Sequence, residues 1–170
     1  MAELIPKERL QPALLDRLID TEPDKKQEPR ESRLITKKRL HEAVMRDLAW
    51  LFNTTRLGGE VELGGYEYAQ RSVINFGLPA LSGETASTLD MVSLEQTVRQ
   101  AILDYEPRIM PESLQVEALA SGSMLEQHNV VSMQIRGNLW AHPIPIELLL
   151  RTDVDLETGA VEIRDLGKSV

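Results

Sequence analysis

The chain has 170 residues, 42% apolar and 27% charged, with a formal net charge of −8, a pI near 5.0 and no cysteine. That size and apolar content suffice for one domain with a sizeable core. The acidic balance speaks against broad phosphate-backbone binding, which needs clustered Lys and Arg, and the absence of cysteine excludes disulfides and thiol chemistry.

From Met1 to Arg9 there is no apolar run of the signal-peptide kind, and no window approaches the ~20 apolar residues of a membrane span. The expectation is a soluble, cytoplasmic protein that binds no nucleic acid and inserts in no membrane.

Leu10, Leu14 and Leu18 recur every four residues with Leu15 and Ile19 beside them, and Pro12 suits a first helical turn. A short amphipathic helix is expected over residues 11–20. It is too short to be stable alone in water, so its apolar stripe must dock on its own domain or on a partner. The stretch from Thr21 to Glu31 is charged, contains Pro23 and Pro29, lacks periodicity and reads as a linker. Residues 1–33 thus form an N-terminal helix and linker, and residues 34–170 the body.

The body opens with a helix expected over residues 36–54, its core stripe formed by Leu40, Val44, Leu48, Leu51 and Phe52 and its polar stripe by Lys37, Lys38, Glu42, Arg46 and Asp47. Trp50 lies off the stripe's centre and is expected to seal a helix–sheet edge. Residues 56–65, with Gly58-Gly59 and Gly64-Gly65, read as a flexible connection, and Tyr66 to Pro79 as a short ordered turn. A second long helix is expected from Ser93, where Ser93 and Gln96 have capping-box spacing and Leu94, Val98, Ala101, Ile102 and Tyr105 make the apolar face; Pro107 ends it.

The period then changes from helical to alternating. Val116, Ala118 and Ala120 form one alternating run, Val131, Met133 and Ile135 a second, and Ile144 to Leu156 a longer third opposite Glu147, Arg151, Asp153, Asp155 and Glu157. Glu157-Thr158-Gly159 supplies a turn with glycine where φ must be positive, and Val161 and Ile163 return as a short last strand. The fold class expected is α+β: an antiparallel sheet of three to four strands, two main helices on one face, and the short N-terminal helix.

One motif departs from local physics. Glu106, beside Asp104 at the negative end of a helix, is disfavoured by roughly 0.3–1 kcal/mol, and Pro107 forbids continuation. Glu106-Pro107-Arg108 is either a local ion pair at a helix stop or a proline-stiffened pair of opposite charges offered to a partner.

This motif, the segment Leu34-Ile35-Thr36 opening the helix that runs through Arg46-Asp47-Leu48-Ala49-Trp50-Leu51-Phe52-Asn53-Thr54, the segment Ser72-Val73-Ile74-Asn75-Phe76-Gly77-Leu78-Pro79 and the strand-rich last third together resemble the family of the type VI secretion baseplate subunit TssE and the homologous wedge protein of contractile phage tails. The resemblance spans residues 10–166. It implies a structural wedge subunit that meets TssF and TssG through Glu106, Pro107 and Arg108, neighbours TssK, and stands where the TssB/TssC sheath begins. An unpaired sheet edge would accept a strand from the first sheath ring.

Two rival functions are weighed. The lysozyme-like label of phage relatives raises peptidoglycan cleavage, which needs two carboxylates at a defined separation and a sugar groove usually lined by exposed aromatics; the sequence places neither. An anti-adaptor of the same fold would not need Glu-Pro-Arg. His41, His128 and His142 lack zinc-site spacing, Gly59 and Gly64 are followed by Gly65 where a phosphate loop requires lysine, and Gly167-Lys168-Ser169 lacks its preceding glycine. No catalytic residue, metal or cofactor is expected.

Overall fold

The computed structural model describes residues 12–19, 23–24, 35–83, 89–119, 129–141 and 143–167. Ala120, His128, His142, all but two residues of the charged linker and the boundary at residue 33 lie outside them.

Helix α1, Leu14–Leu18, is shorter than expected from its leucines, and its apolar stripe does not dock as a stripe. Leu14 and Leu18 are 70% and 73% exposed. What ties the helix down is charge: Asp16 Oδ1 accepts from Arg46 Nη1 at 2.7 Å.

Helix α2 spans Lys37–Phe52, with the Thr36 hydroxyl accepting from Arg39 N at its start. Leu40, Val44, Leu48, Leu51 and Phe52, the stripe read from the sequence, are buried. The connection after α2 is more ordered than its glycines suggest: Arg56 N donates to Leu78 O and Leu78 N to Thr54 O, both at 2.8 Å, so Thr54–Arg56 and Leu78 lie side by side. Between them sit a 3-10 turn at Leu57–Gly59, helix α3 at Glu67–Gln70 and a second 3-10 turn at Val73–Asn75. Gly77 closes the loop with φ of 122°, and a Cβ there would stand 2.2 Å from Thr54 O.

Helix α4 runs Met91–Tyr105 and starts two residues before the expected capping box. Asp90 supplies the cap, its carboxylate accepting from Val92 N at 3.1 Å. The carboxylate also suits the positive end of the helix dipole, an advantage a Ser93 hydroxyl lacks.

The sheet is an antiparallel meander, β1 Gln115–Leu119, β2 Val130–Leu139, β3 Ile146–Asp155 and β4 Val161–Asp165, paired in the order β1-β2-β3-β4. Met133, Ile135, Leu148, Leu150 and Val154 face the core with α2 and α4, and Thr152 is buried among them, its hydroxyl donating to Met133 O at 3.5 Å. Gly159 takes φ of 75° in the β3–β4 turn, as expected from its position. The last strand is longer than the three residues expected, because the turn chemistry, with Asp155 Oδ1 accepting from Glu157 N and Thr158 N, lets pairing resume at once.

Candidate functional site

Helix α4 ends one residue before Glu106, whose N–H makes the last helical bond to Ile102 O. Pro107 then turns the chain, and Arg108 and Met110 pair with the end of β2 through Trp140 N to Arg108 O and Met110 N to Asn138 O, both 2.8 Å. The motif is therefore pinned between a helix and a strand.

Its charges are turned inward. Glu106 is 3% exposed, among the few buried polar residues described. Arg108 folds back over it: Nε donates to Glu106 Oε1 at 2.6 Å, the backbone N to the same oxygen at 3.1 Å, and Nη2 to Oε2. Nη2 also reaches Asp47 Oδ2 of α2 at 2.5 Å. Burial alone would weaken the Arg108 charge, but the two carboxylates outweigh it and hold the guanidinium well above its ordinary value. The local ion pair at a helix stop is thus present, with its acid turned away from solvent. Pro107 alone of the three is exposed.

Asp47 extends the pair into a network. Its Oδ1 accepts from Arg46 Nε at 2.9 Å, and Arg46 Nη1 grips Asp16. Burial opposes the Arg46 charge, yet Asp16 and Asp47 together raise it above its usual value. Arg46 also lies over the Trp50 ring, 5.2 Å from its centroid. Trp50 does not seal a helix–sheet edge: it is 51% exposed.

Beside this network runs a groove of about 550 Å³, lined mainly by apolar side chains that include Leu15, Leu48, Trp50, Phe76, Pro107 and Trp140. Phe76 meets Tyr105 edge to face at 5.2 Å, and Tyr105 Oη donates to Ser72 O at 3.0 Å, so this wall is fixed. Trp140 at the far side is 59% exposed. The site therefore consists of two exposed indoles and a proline beside a half-buried row of three carboxylates and two guanidinium groups.

The sequence singles out Glu106, Pro107 and Arg108, but not Asp47, Arg46, Asp16 and the two tryptophans that the fold brings beside them. A signal for part of it was present: Arg46 and Trp50 are four apart on one helix face, with Asp47 beside Arg46. Nothing local linked them to residue 108.

Among the described residues no cluster of three or more His, Asp or Glu is placed to hold a metal ion, and no helix is long and apolar enough to cross a membrane. His41 faces Asp165 at 3.6 Å.

Residues 38–144, more than half of the chain and extending from α2 to the approach to β3, match the family described as baseplate wedge protein gp25. The chain has no significant match among curated proteins or solved structures.

Proposed function

Because the chain belongs to the family of the baseplate wedge protein gp25, we propose that it is the TssE-like wedge subunit of a type VI secretion baseplate in the cytoplasm, binding TssF and TssG at the groove beside Glu106-Pro107-Arg108, with TssK nearby and the TssB/TssC sheath beginning on its sheet edge. The observation that carries this reading is the groove itself: two exposed tryptophans and Pro107 on a wall made rigid by the Glu106–Arg108–Asp47 contacts. Tryptophan-rich, pre-organised apolar clefts beside a charged rim are the usual anchor points of protein interfaces. Arg108 Nη1 is buried there with no acceptor among the described residues, a donor that a partner carbonyl or carboxylate would satisfy.

The role is assembly rather than catalysis. Between the carboxylates of Asp47 and Glu106 lies the Arg108 guanidinium, bonded to both, where a glycosidase would need room for a sugar oxygen or a water.

The test is co-purification of the tagged full chain with TssF and TssG co-expressed from the same source. Trp140→Ser and Pro107→Ser leave the ion pairs in place, so both variants should fold, as read by circular dichroism, and lose the complex. Equal recovery of TssF and TssG by wild type and both variants removes the groove from the interface.

A further inference from the structure

A second exposed apolar surface lies outside the groove. Within nine residues, Tyr66, Tyr68, Val73 and Ile74 are 69%, 93%, 82% and 64% exposed. None of them lines the groove.

This loop is braced from below. Asn75 accepts from Gly58 N at 2.8 Å and donates to Gln70 O at 2.8 Å, while Gln70 Nε2 donates to Leu63 O at 2.7 Å. Tyr105 Oη holds Ser72 O, and Arg71 is bonded to Asp104 of α4 at 3.1 Å. Four large apolar side chains held out on a pre-formed scaffold present contact area whose ordering cost is already met, the property of an interface rather than of a tolerated surface residue.

The charges carried by the same segment state the partner's chemistry. Glu60 and Glu62 precede the apolar residues and Glu67 stands between Tyr66 and Tyr68, all three exposed and none in an ion pair among the described residues, whereas the neighbouring cation Arg71 is engaged by Asp104. We propose that this loop is a second docking surface, independent of the groove, for a protein face that offers an apolar hollow bordered by Lys and Arg. An anionic lipid surface would be repelled by the three glutamates. A second copy of a chain carrying net charge −8 would bring like charge against them.

The test replaces Tyr68 with photo-reactive benzoyl-phenylalanine in the full chain, expressed in its own cells with its baseplate partners, and maps the crosslinked peptide by mass spectrometry. A second chain carries the same group in place of Trp140, reporting on the groove. The expected result is a Tyr68-site adduct to a heterologous peptide with apolar residues flanked by Lys or Arg. Its yield should fall at least about tenfold, the measure of a hot-spot loss, with Val73→Ser/Ile74→Ser and again with Glu60→Lys/Glu62→Lys/Glu67→Lys. The Trp140-site adduct and the melting temperature should be unchanged by both sets, since all five residues are exposed. No Tyr68-site adduct, an adduct only to another copy of this chain, a target peptide without basic residues, or a yield indifferent to the charge reversal each overturns the proposal. Loss of the Trp140-site adduct alone bears on the groove and leaves this surface standing.

Discussion

Asn53 and Val161, 108 residues apart, exchange two hydrogen bonds of 2.9 Å: the Asn53 amide donates to Val161 O and accepts from Val161 N. The side chain at the end of α2 thus does for the first residue of β4 what a neighbouring strand would do. At the other edge, Glu95 of α4 accepts from Ala118 N of β1 at 2.6 Å. Each outer strand is fastened by one side chain from one of the two long helices, which fixes how the helical layer lies across the sheet.

Asn53→Ala should lower the unfolding free energy by about 1–3 kcal/mol, because two hydrogen bonds to the Val161 backbone, each contributing about 0.5–1.5 kcal/mol, are lost. Urea titration reads this directly. A shift of the midpoint no larger than that of an ordinary surface variant removes the fastening role.

Arg108→Ala should be strongly destabilising. A free exposed pair would contribute little, but Glu106 at 3% exposure would be left as a buried, uncompensated carboxylate. The cost is about 3 kcal/mol, toward the lower end for buried pairs since the Arg108 side chain is 22% exposed. Glu106→Gln combined with Arg108→Met should recover most of that loss while abolishing assembly, if the charges matter to the partner. Wild-type stability in Arg108→Ala alone contradicts the buried network.

Gly77→Ala should cost at least about 1–3 kcal/mol through its positive φ alone. The added Cβ would also strike Thr54 O at 2.2 Å, a backbone atom that cannot turn aside. Calorimetry of this variant beside Gly65→Ala, where nothing lies within 4 Å of the added carbon, isolates the effect. Equal melting temperatures contradict it.

On the solvent face of the sheet, Asp153 sets an acid limb. Burial pushes its carboxyl up, but the Ser132 hydroxyl at 2.6 Å, Arg151 at 3.1 Å and the charge of Arg164 outweigh it, so the folded value lies below the ordinary one. A depressed carboxylate contributes stability that is fully present above the unfolded pKa of about 3.9 and is lost as pH falls through the lower folded value. Asp153→Asn should therefore be less stable than wild type at pH 7, and the gap should shrink as pH falls toward 2. A gap of the same size at both pH values contradicts this linkage.

How much of this was legible follows the range of the interactions. Periodicity located α2, α4 and all four strands within a few residues, since alternation at Leu148, Leu150, Thr152 and Val154 and the stripe of Leu40, Val44, Leu48 and Leu51 are properties of neighbours in sequence. Helix starts were less legible, because Asp90 and Ser93 are both capable caps and the choice rests on where the preceding chain enters. The burial of Glu106 was not legible at all. Arg108 reaches it locally, but the third member, Asp47, lies 61 residues away and is brought in by the packing of α2 beside α4. The exposure of Trp50 has the same origin: it lines a groove together with Ala13, Pro107 and Trp140, all distant from it in sequence.

The outer edge of β4 yields the last prediction. In an antiparallel pair, alternate residues turn both backbone groups toward the neighbour. Asp155 N bonds Ala160 O and Leu166 N bonds Leu149 O, so residues 160, 162, 164 and 166 face β3 while 161, 163 and 165 face outward. Asn53 already occupies Val161, which leaves Ile163 and Asp165, together with Glu147 of β3 beyond the end of β4, as the edge open to an added strand. Glu162 and Arg164 keep that edge charged, as undefended edges require. Addition of TssB/TssC sheath protein should therefore slow amide exchange at Ile163, Asp165 and Glu147 and leave Val161, protected beforehand by Asn53, unchanged. In Asn53→Ala, Val161 should exchange quickly in the free protein and become protected on sheath binding, because the strand can then extend by two residues. Unchanged exchange at Ile163 and Asp165 with protection elsewhere rules out strand addition at this edge.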